Sequence, residues 1–274
     1  MKFRDFIEPL LEGGKAIKNV EKISQEEVRK ISGELIKKIA EALNIKVTKV
    51  KLIGSAGRKP DPSDLSGDLD IAVECEPEVA EAAIKKLASN GSFRSMRGIN
   101  VFSFAHEVGN KFVQVDLMPV QNIKFAEWSY QANPEDLKQG LKGAQRNELF
   151  FAIAKNMPQE VIEAEKDGTP IVLKRFFYDL SKGLMEGIKS RKGKKKALMK
   201  NFSTTEKKLI TDDPEKITKM MFGSKFNASQ VETFDGTLKV IRSEDFQYHD
   251  QVSKILDLAK KGITDKGLKL PDSL

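Results

Sequence analysis

Gly67-Asp68-Leu69-Asp70-Ile71-Ala72-Val73-Glu74-Cys75 is the stretch on which the reading of this chain turns. Leu69, Ile71, Val73 and Cys75 alternate with Asp68, Asp70, Ala72 and Glu74, the period of a strand with one packed face. Two carboxylates therefore stand at i and i+2 on the other face, about 6.6 Å apart along the strand. Upstream, Val47-Thr48-Lys49-Val50-Lys51-Leu52-Ile53 is rich in β-branched residues and stops at Gly54-Ser55, which predicts a strand delivering a turn. The polar loop from Ala56 to Gly67 carries Arg58 and Lys59 and is longer than a simple connection needs. Downstream, Ile99 to Glu107 and Lys111 to Met118 are joined by Gly109-Asn110, a dipeptide suited to a hairpin turn. In the second of these, Val113, Val115 and Leu117 share one face and Gln114 and Asp116 the other, which adds a third outward carboxylate.

Helices frame these strands. Ser24-Gln25-Glu26-Glu27 is a capping box followed by Val28, Ile31, Leu35, Ile36, Ile39 and Leu43 at helical spacing, with Asn44 at the end. Pro77 to Leu87 reads as a second helix with proline in its first turn, and Pro134 to Lys155 as a long third one. Thr169 to Tyr178 and Leu184 to Ser190 predict a hairpin, with Phe176, Phe177 and Tyr178 assigned to core packing. Three more helices are expected over about 204–222, 228–241 and 245–262. The expected class is α+β, a mixed sheet with flanking helices over 1–133 and a mostly helical, basic domain over 134–274.

Charge and composition narrow the chemistry. Residues 1–170 hold 25 basic and 26 acidic side chains, whereas residues 171–274 hold 22 and 14, so the whole surplus of +7 belongs to the C-terminal part. Lys189, Arg191, Lys192, Lys194, Lys195 and Lys196 crowd one short run there, which suits either a solvated face or nucleic-acid phosphates; its place in the basic C-terminal part favours the phosphates. A single cysteine, Cys75, excludes an intrachain disulfide and a four-cysteine zinc site, and two histidines leave little scope for imidazole-based relays. No apolar run approaches the roughly 20 residues of a bilayer-spanning helix, so a cytoplasmic protein with no membrane role is expected. Three acids gathered in one pocket repel one another unless cations neutralise them, and hard carboxylate oxygens suit Mg²⁺. The Gly-Ser turn suits phosphate, because a residue without a side chain lets backbone N–H groups approach the oxygens.

Leu52-Ile53-Gly54-Ser55, Gly67-Asp68-Leu69-Asp70-Ile71 and Val113-Gln114-Val115-Asp116-Leu117-Met118-Pro119 occur in the order and spacing of one superfamily. In these residues the chain resembles the DNA polymerase beta-like nucleotidyltransferases, and most of all the palm of family X polymerases, including the small versions some bacteriophages carry. The resemblance covers roughly residues 24–150. It implies transfer of a nucleoside monophosphate from an NTP to a hydroxyl, with two Mg²⁺ ions, for which Mn²⁺ can substitute, held by Asp68 and Asp70. It implies that Asp116 helps bind the catalytic ion and activate the acceptor, and that Gly54 and Ser55 bind the triphosphate. Arg58 stands where members often place basic residues on phosphates. Lys142, Arg146 and Asn147 lie in a segment loosely similar to the one that touches the incoming nucleotide. Together with the basic C-terminal part, the three aspartates make a nucleic acid 3′ end, of tRNA, other RNA or DNA, the expected acceptor. Two other readings stay open: nucleotidylation of a protein or small molecule, and a non-catalytic nucleic-acid-binding protein.

Overall fold

In the computed structural model, residues 16–96, 100–164, 170–191 and 202–274 are described. The chain divides into two units, Met1–Gln145 with Ile263–Pro271, and Arg146–Gly262 with Asp272–Leu274.

Among the described residues, the first element of the first unit is β1 (Ile23–Ser24), which runs into α1 (Gln25–Leu43). The predicted capping box is present: the Ser24 hydroxyl accepts the Glu27 N–H at 3.2 Å, and the Glu27 carboxylate accepts the Ser24 N–H at 2.9 Å. Asn44, left-handed at φ 55°, ends the helix. The strand expected from Val47 is shorter than its β-branched composition suggests. Val47–Lys49 forms a 3₁₀ turn, closed by the Lys49 N–H on the Lys46 carbonyl, and β2 is confined to Val50–Leu52. There follow β3 (Leu65–Ser66), β4 (Asp68–Glu74), α2 (Pro77–Leu87), β5 (Phe93–Met96), β6 (Val101–Val108) and β7 (Lys111–Val120).

Five of these strands form a mixed sheet in the order β2-β4-β7-β6-β5, in which β4 and β7 are parallel neighbours and the other pairs antiparallel. One face is apolar. Leu69, Ile71 and Val73 of β4 join Val113, Val115 and Leu117 of β7 and Phe102 and Phe104 of β6 against Val28, Leu35 and Ile39 of α1 and Ile84 of α2. Burial of each such side chain contributes roughly 1.5–3 kcal/mol, which fixes the register because a one-residue slip would turn every one of them outward. The opposite face carries a smaller apolar cluster at one end. There α3 (Ile123–Tyr130) brings Ala126 onto Ala72 and Val120, whereas the end carrying Asp68, Asp70 and Asp116 lies beyond this small apolar cluster.

The long helix expected over Pro134 to Lys155 is two helices, α4 (Pro134–Lys138) and α5 (Gly143–Asn156). Gly140 takes φ 72°, and the Gln139 and Leu141 N–H groups both close on the Asp136 carbonyl, so the chain turns where helical periodicity alone runs through.

In the second unit, β8 (Glu160–Ala164), β9 (Pro170–Asp179), β10 (Gly183–Arg191) and β11 (Phe202–Thr211) make an antiparallel sheet in sequence order. The expected hairpin is its centre, flanked by two strands the sequence did not announce. Phe202–Thr211 corrects the helix expected from 204: the segment holds Thr204, Thr205, Ile210 and Thr211, and the helix starts only at Pro214. Asp213 caps α6 (Pro214–Phe222) by accepting the Glu215 N–H at 2.8 Å, and α7 (Phe234–Ile241) and α8 (Val252–Asp265), the latter as far as Gly262, also belong to this unit. Tyr178 is buried, with its ring 5.1 Å from that of Phe150, and Phe150 meets Phe222 edge-on at 5.2 Å.

Candidate metal centre and adjoining cleft

The parallel ladder sets Asp70 directly opposite Asp116 and Asp68 opposite Gln114. Because Leu69 and Ile71 are anchored in the apolar face, Asp68 and Asp70 are held on the other face, and Val115 and Leu117 do the same for Asp116. One carboxylate oxygen from each of the three acids lies within 4.8 Å of the others. The cluster can hold a metal ion.

Gly54 makes the approach possible. The Ile53 N–H donates to the Asp70 carbonyl at 2.9 Å, so β2 delivers the next residue against the Asp70 side chain. Gly54 takes φ 68°, and a Cβ there would sit 2.5 Å from Asp70 Oδ2. Both the backbone conformation and the missing side chain are required.

The electrostatics fit a cation. Burial, then the charges of Asp68 and Asp116, push the Asp70 carboxyl well above the carboxylate range, and Lys142 partly offsets them. Burial is also the main cause that raises Asp116 to about 6, with Asp68 adding to it and the Ser103 and Gln114 side chains opposing it. Burial and mutual repulsion therefore work against ionising Asp70 and Asp116 together, and a bound divalent cation would favour the fully ionised set.

Beside Asp68 opens a cleft of about 540 Å³. Ser55, Ser66 and Gly67 border it with three cationic side chains, Lys22, Lys59 and Lys142. Leu137 of α4, with Gly140 and Leu141 from the turn between α4 and α5, supplies another wall. The loop that carries Lys59 is pinned to the start of α1. Gln25 donates its side-chain amide to Ser66 Oγ at 2.9 Å, Arg29 donates to the Lys59 carbonyl at 3.0 Å, and the Lys59 ammonium reaches the Leu65 carbonyl. The two-residue ladder between β1 and β3 closes the same loop.

Gly54, Ser55, Asp68, Asp70, Asp116 and Lys142 all belong to the first unit, and Ser55, Asp68 and Lys142 border the cleft. Arg58 is half-buried, with its N–H turned to the Ser55 carbonyl at 3.2 Å, and Lys59 is the neighbour that borders the cleft. Arg146 and Asn147 are buried in the second unit, where Arg146 donates to the Glu232 carbonyl at 2.9 Å and lies 5.6 Å from the Phe150 ring centre. Lys189 and Arg191 lie on β10, opposite Leu173 and Phe202 respectively. Lys192, Lys194, Lys195 and Lys196 fall outside the described residues.

Sequence reasoning passed over Lys22, Ser103 and Gln114 as site residues. Lys22 stands alone in no motif, and the alternation of β7 marks Gln114 only as outward-facing. Ser103 faces Asp116 through a cross-strand register that no local pattern reveals. Among the described residues, no helix is long and apolar enough to cross a membrane. No protein-family model matches the sequence, and no curated protein matches it.

Proposed function

We propose that the protein is a Mg²⁺-dependent nucleotidyltransferase that moves a nucleoside monophosphate from an NTP to a hydroxyl, the acceptor being the 3′ end of RNA or DNA. The observation that carries this reading is the convergence of Asp68, Asp70 and Asp116 next to a lysine-bordered cleft. Two divalent ions bound by such acids supply charge neutralisation for the attacking and leaving oxygens. Ser55 offers a hydroxyl donor to phosphate, and Lys22, Lys59 and Lys142 offer cations to a polyanion entering the cleft. Asp116, raised to about 6, carries a carboxylate oxygen able to accept the acceptor hydroxyl's proton near neutrality. The acceptor oxygen then bonds to the α-phosphorus as the bond to pyrophosphate breaks. The +8 surplus over residues 171–274 (22 basic, 14 acidic) supports a polyanionic acceptor.

Labelled NTPs, Mg²⁺ and short RNA or DNA primers test this directly. Extension by the wild type, lost in Asp68→Ala and Asp116→Ala, is the expected result. Label appearing instead on protein or an aminoglycoside would assign a different acceptor. Primer binding with steep salt dependence and no NTP consumption would replace the enzyme with a binding protein.

A further inference from the structure

Gln114 faces two ways. It is 2% exposed on β7, two residues before Asp116 and opposite Asp68. Its amide nitrogen donates to both oxygens of Asp116, at 3.0 and 3.1 Å. Its amide oxygen accepts the backbone N–H groups of Ala16 and Ile17, at 2.9 and 3.0 Å. These partners dictate the amide's orientation, since two N–H groups require oxygen on one side and a carboxylate requires NH₂ on the other.

Glutamate, lysine, arginine and asparagine each fail one of the two demands. Glutamate supplies the acceptor but sets a fourth negative charge beside the acids. Lysine and arginine donate without accepting, and asparagine is one methylene short. Engaging both carboxylate oxygens fixes the rotation of Asp116, the service that an outer hydrogen-bond partner performs for a metal ligand. The same side chain reaches a segment nearly a hundred residues earlier in the chain, where it satisfies two N–H groups outside any helix or strand.

We propose that Gln114 is a positioning residue that couples the docking of the Ala16–Ile17 segment to the metal affinity of the Asp68–Asp70–Asp116 centre. The coupling rests on the reading of the three acids as a metal site. It is reciprocal by linkage: an ion that fixes Asp116 steadies the Gln114 amide and so the two N–H groups, and the docked segment strengthens ion binding equally. The Glu21 N–H is an internal reference, because it bonds to the Phe112 carbonyl at 2.7 Å without passing through Gln114.

Amide hydrogen exchange by NMR on the full chain, with and without Mg²⁺ alone, tests the coupling when paired with calorimetry on the same samples. Saturating Mg²⁺ is expected to slow exchange at Ala16 and Ile17 about tenfold relative to Glu21, a typical size for coupled sites. Gln114→Met should lose that slowing and bind Mg²⁺ about tenfold more weakly. The wild-type comparison holds whether or not the variant folds. Mg²⁺ uptake by the wild type with unchanged exchange at Ala16 and Ile17 would overturn the coupling and leave the metal site standing, as would wild-type Mg²⁺ affinity in Gln114→Met. Absence of Mg²⁺ uptake by the wild type would overturn the metal site, and the coupling with it.

Discussion

Asp116→Asn should make the metal-free protein more stable at alkaline pH while weakening its hold on Mg²⁺. The wild-type carboxyl titrates at about 6 in the folded chain against an ordinary 3.8, so the folded state holds that proton more tightly than the unfolded one. For an acid shifted upward, the destabilisation is absent below 3.8, grows between 3.8 and about 6, and is complete above that. The difference between the two values corresponds to about 3 kcal/mol at pH 8. Asparagine removes this charge but turns an NH₂ toward the Gln114 amide, losing one of its two hydrogen bonds at a cost of about 1 kcal/mol. The net expectation is a gain of about 2 kcal/mol at pH 8 in EDTA, shrinking to nothing or slight destabilisation by pH 4. Saturating Mg²⁺ should reverse the order at pH 8, because the wild type alone retains all three ionised ligands. Trp128, the single tryptophan, is 6% exposed on α3 in the first unit, so its fluorescence during urea unfolding reports on the unit that holds the acids. An Asp116→Asn protein less stable than wild type at pH 8 in EDTA, or one whose difference is the same at pH 8 and pH 4, would refute the argument.

Gly54→Ala should lose about 1–2 kcal/mol from the left-handed backbone alone, and more from displacing the Asp70 carboxylate; urea midpoints measure the first and Mg²⁺ calorimetry, expected at least about tenfold weaker, the second. Glu27 is lowered to about 2 by Lys111 first and then by Ser24, so its contribution is present above 4.5 and fades as pH falls toward 2; solvent screening keeps it small. A carboxyl NMR titration should find that midpoint near 2, returning toward 4.5 in Lys111→Ala. Cys75, raised to about 11 by burial, should react with a disulfide reagent at pH 8 far more slowly than free cysteine and recover in urea.

Much of the first unit was legible because its signals are local. The Ser24–Glu27 capping box, the proline at the start of Pro77–Leu87, the Gly109-Asn110 turn and the strict alternation around Asp68 and Asp116 each act within a few residues, and each has its counterpart in the structure. Elements that depend on distant partners were not legible. The strand Glu160–Ala164 is exposed at every position, so no apolar alternation marks it, and Leu65–Ser66 exists only because Ile23–Ser24 lies beside it. Helical spacing over 134–155 continued through Gly140, where a positive φ ends the first helix. For the site, spacing identified the acids, whereas Lys22, Lys59, Ser103 and Gln114 take their places from register and loop closure. Their neighbours in sequence carry no trace of that.

The seven-pair parallel ladder between β4 and β7 also decides where this chain tolerates a change of length. A shift of two residues would preserve which side chains are buried, leaving hydrophobic packing content while seating Asp68 across from Asp116 and stranding Asp70. Two-residue insertions between Gly67 and Val73, or between Val113 and Pro119, should therefore keep the packing and lose Mg²⁺ binding, whereas single-residue insertions should unfold the sheet. A peptide tag spliced at Gly109-Asn110, where a Cβ on the glycine meets nothing within 4 Å, leaves that alignment untouched and is the natural place for a probe.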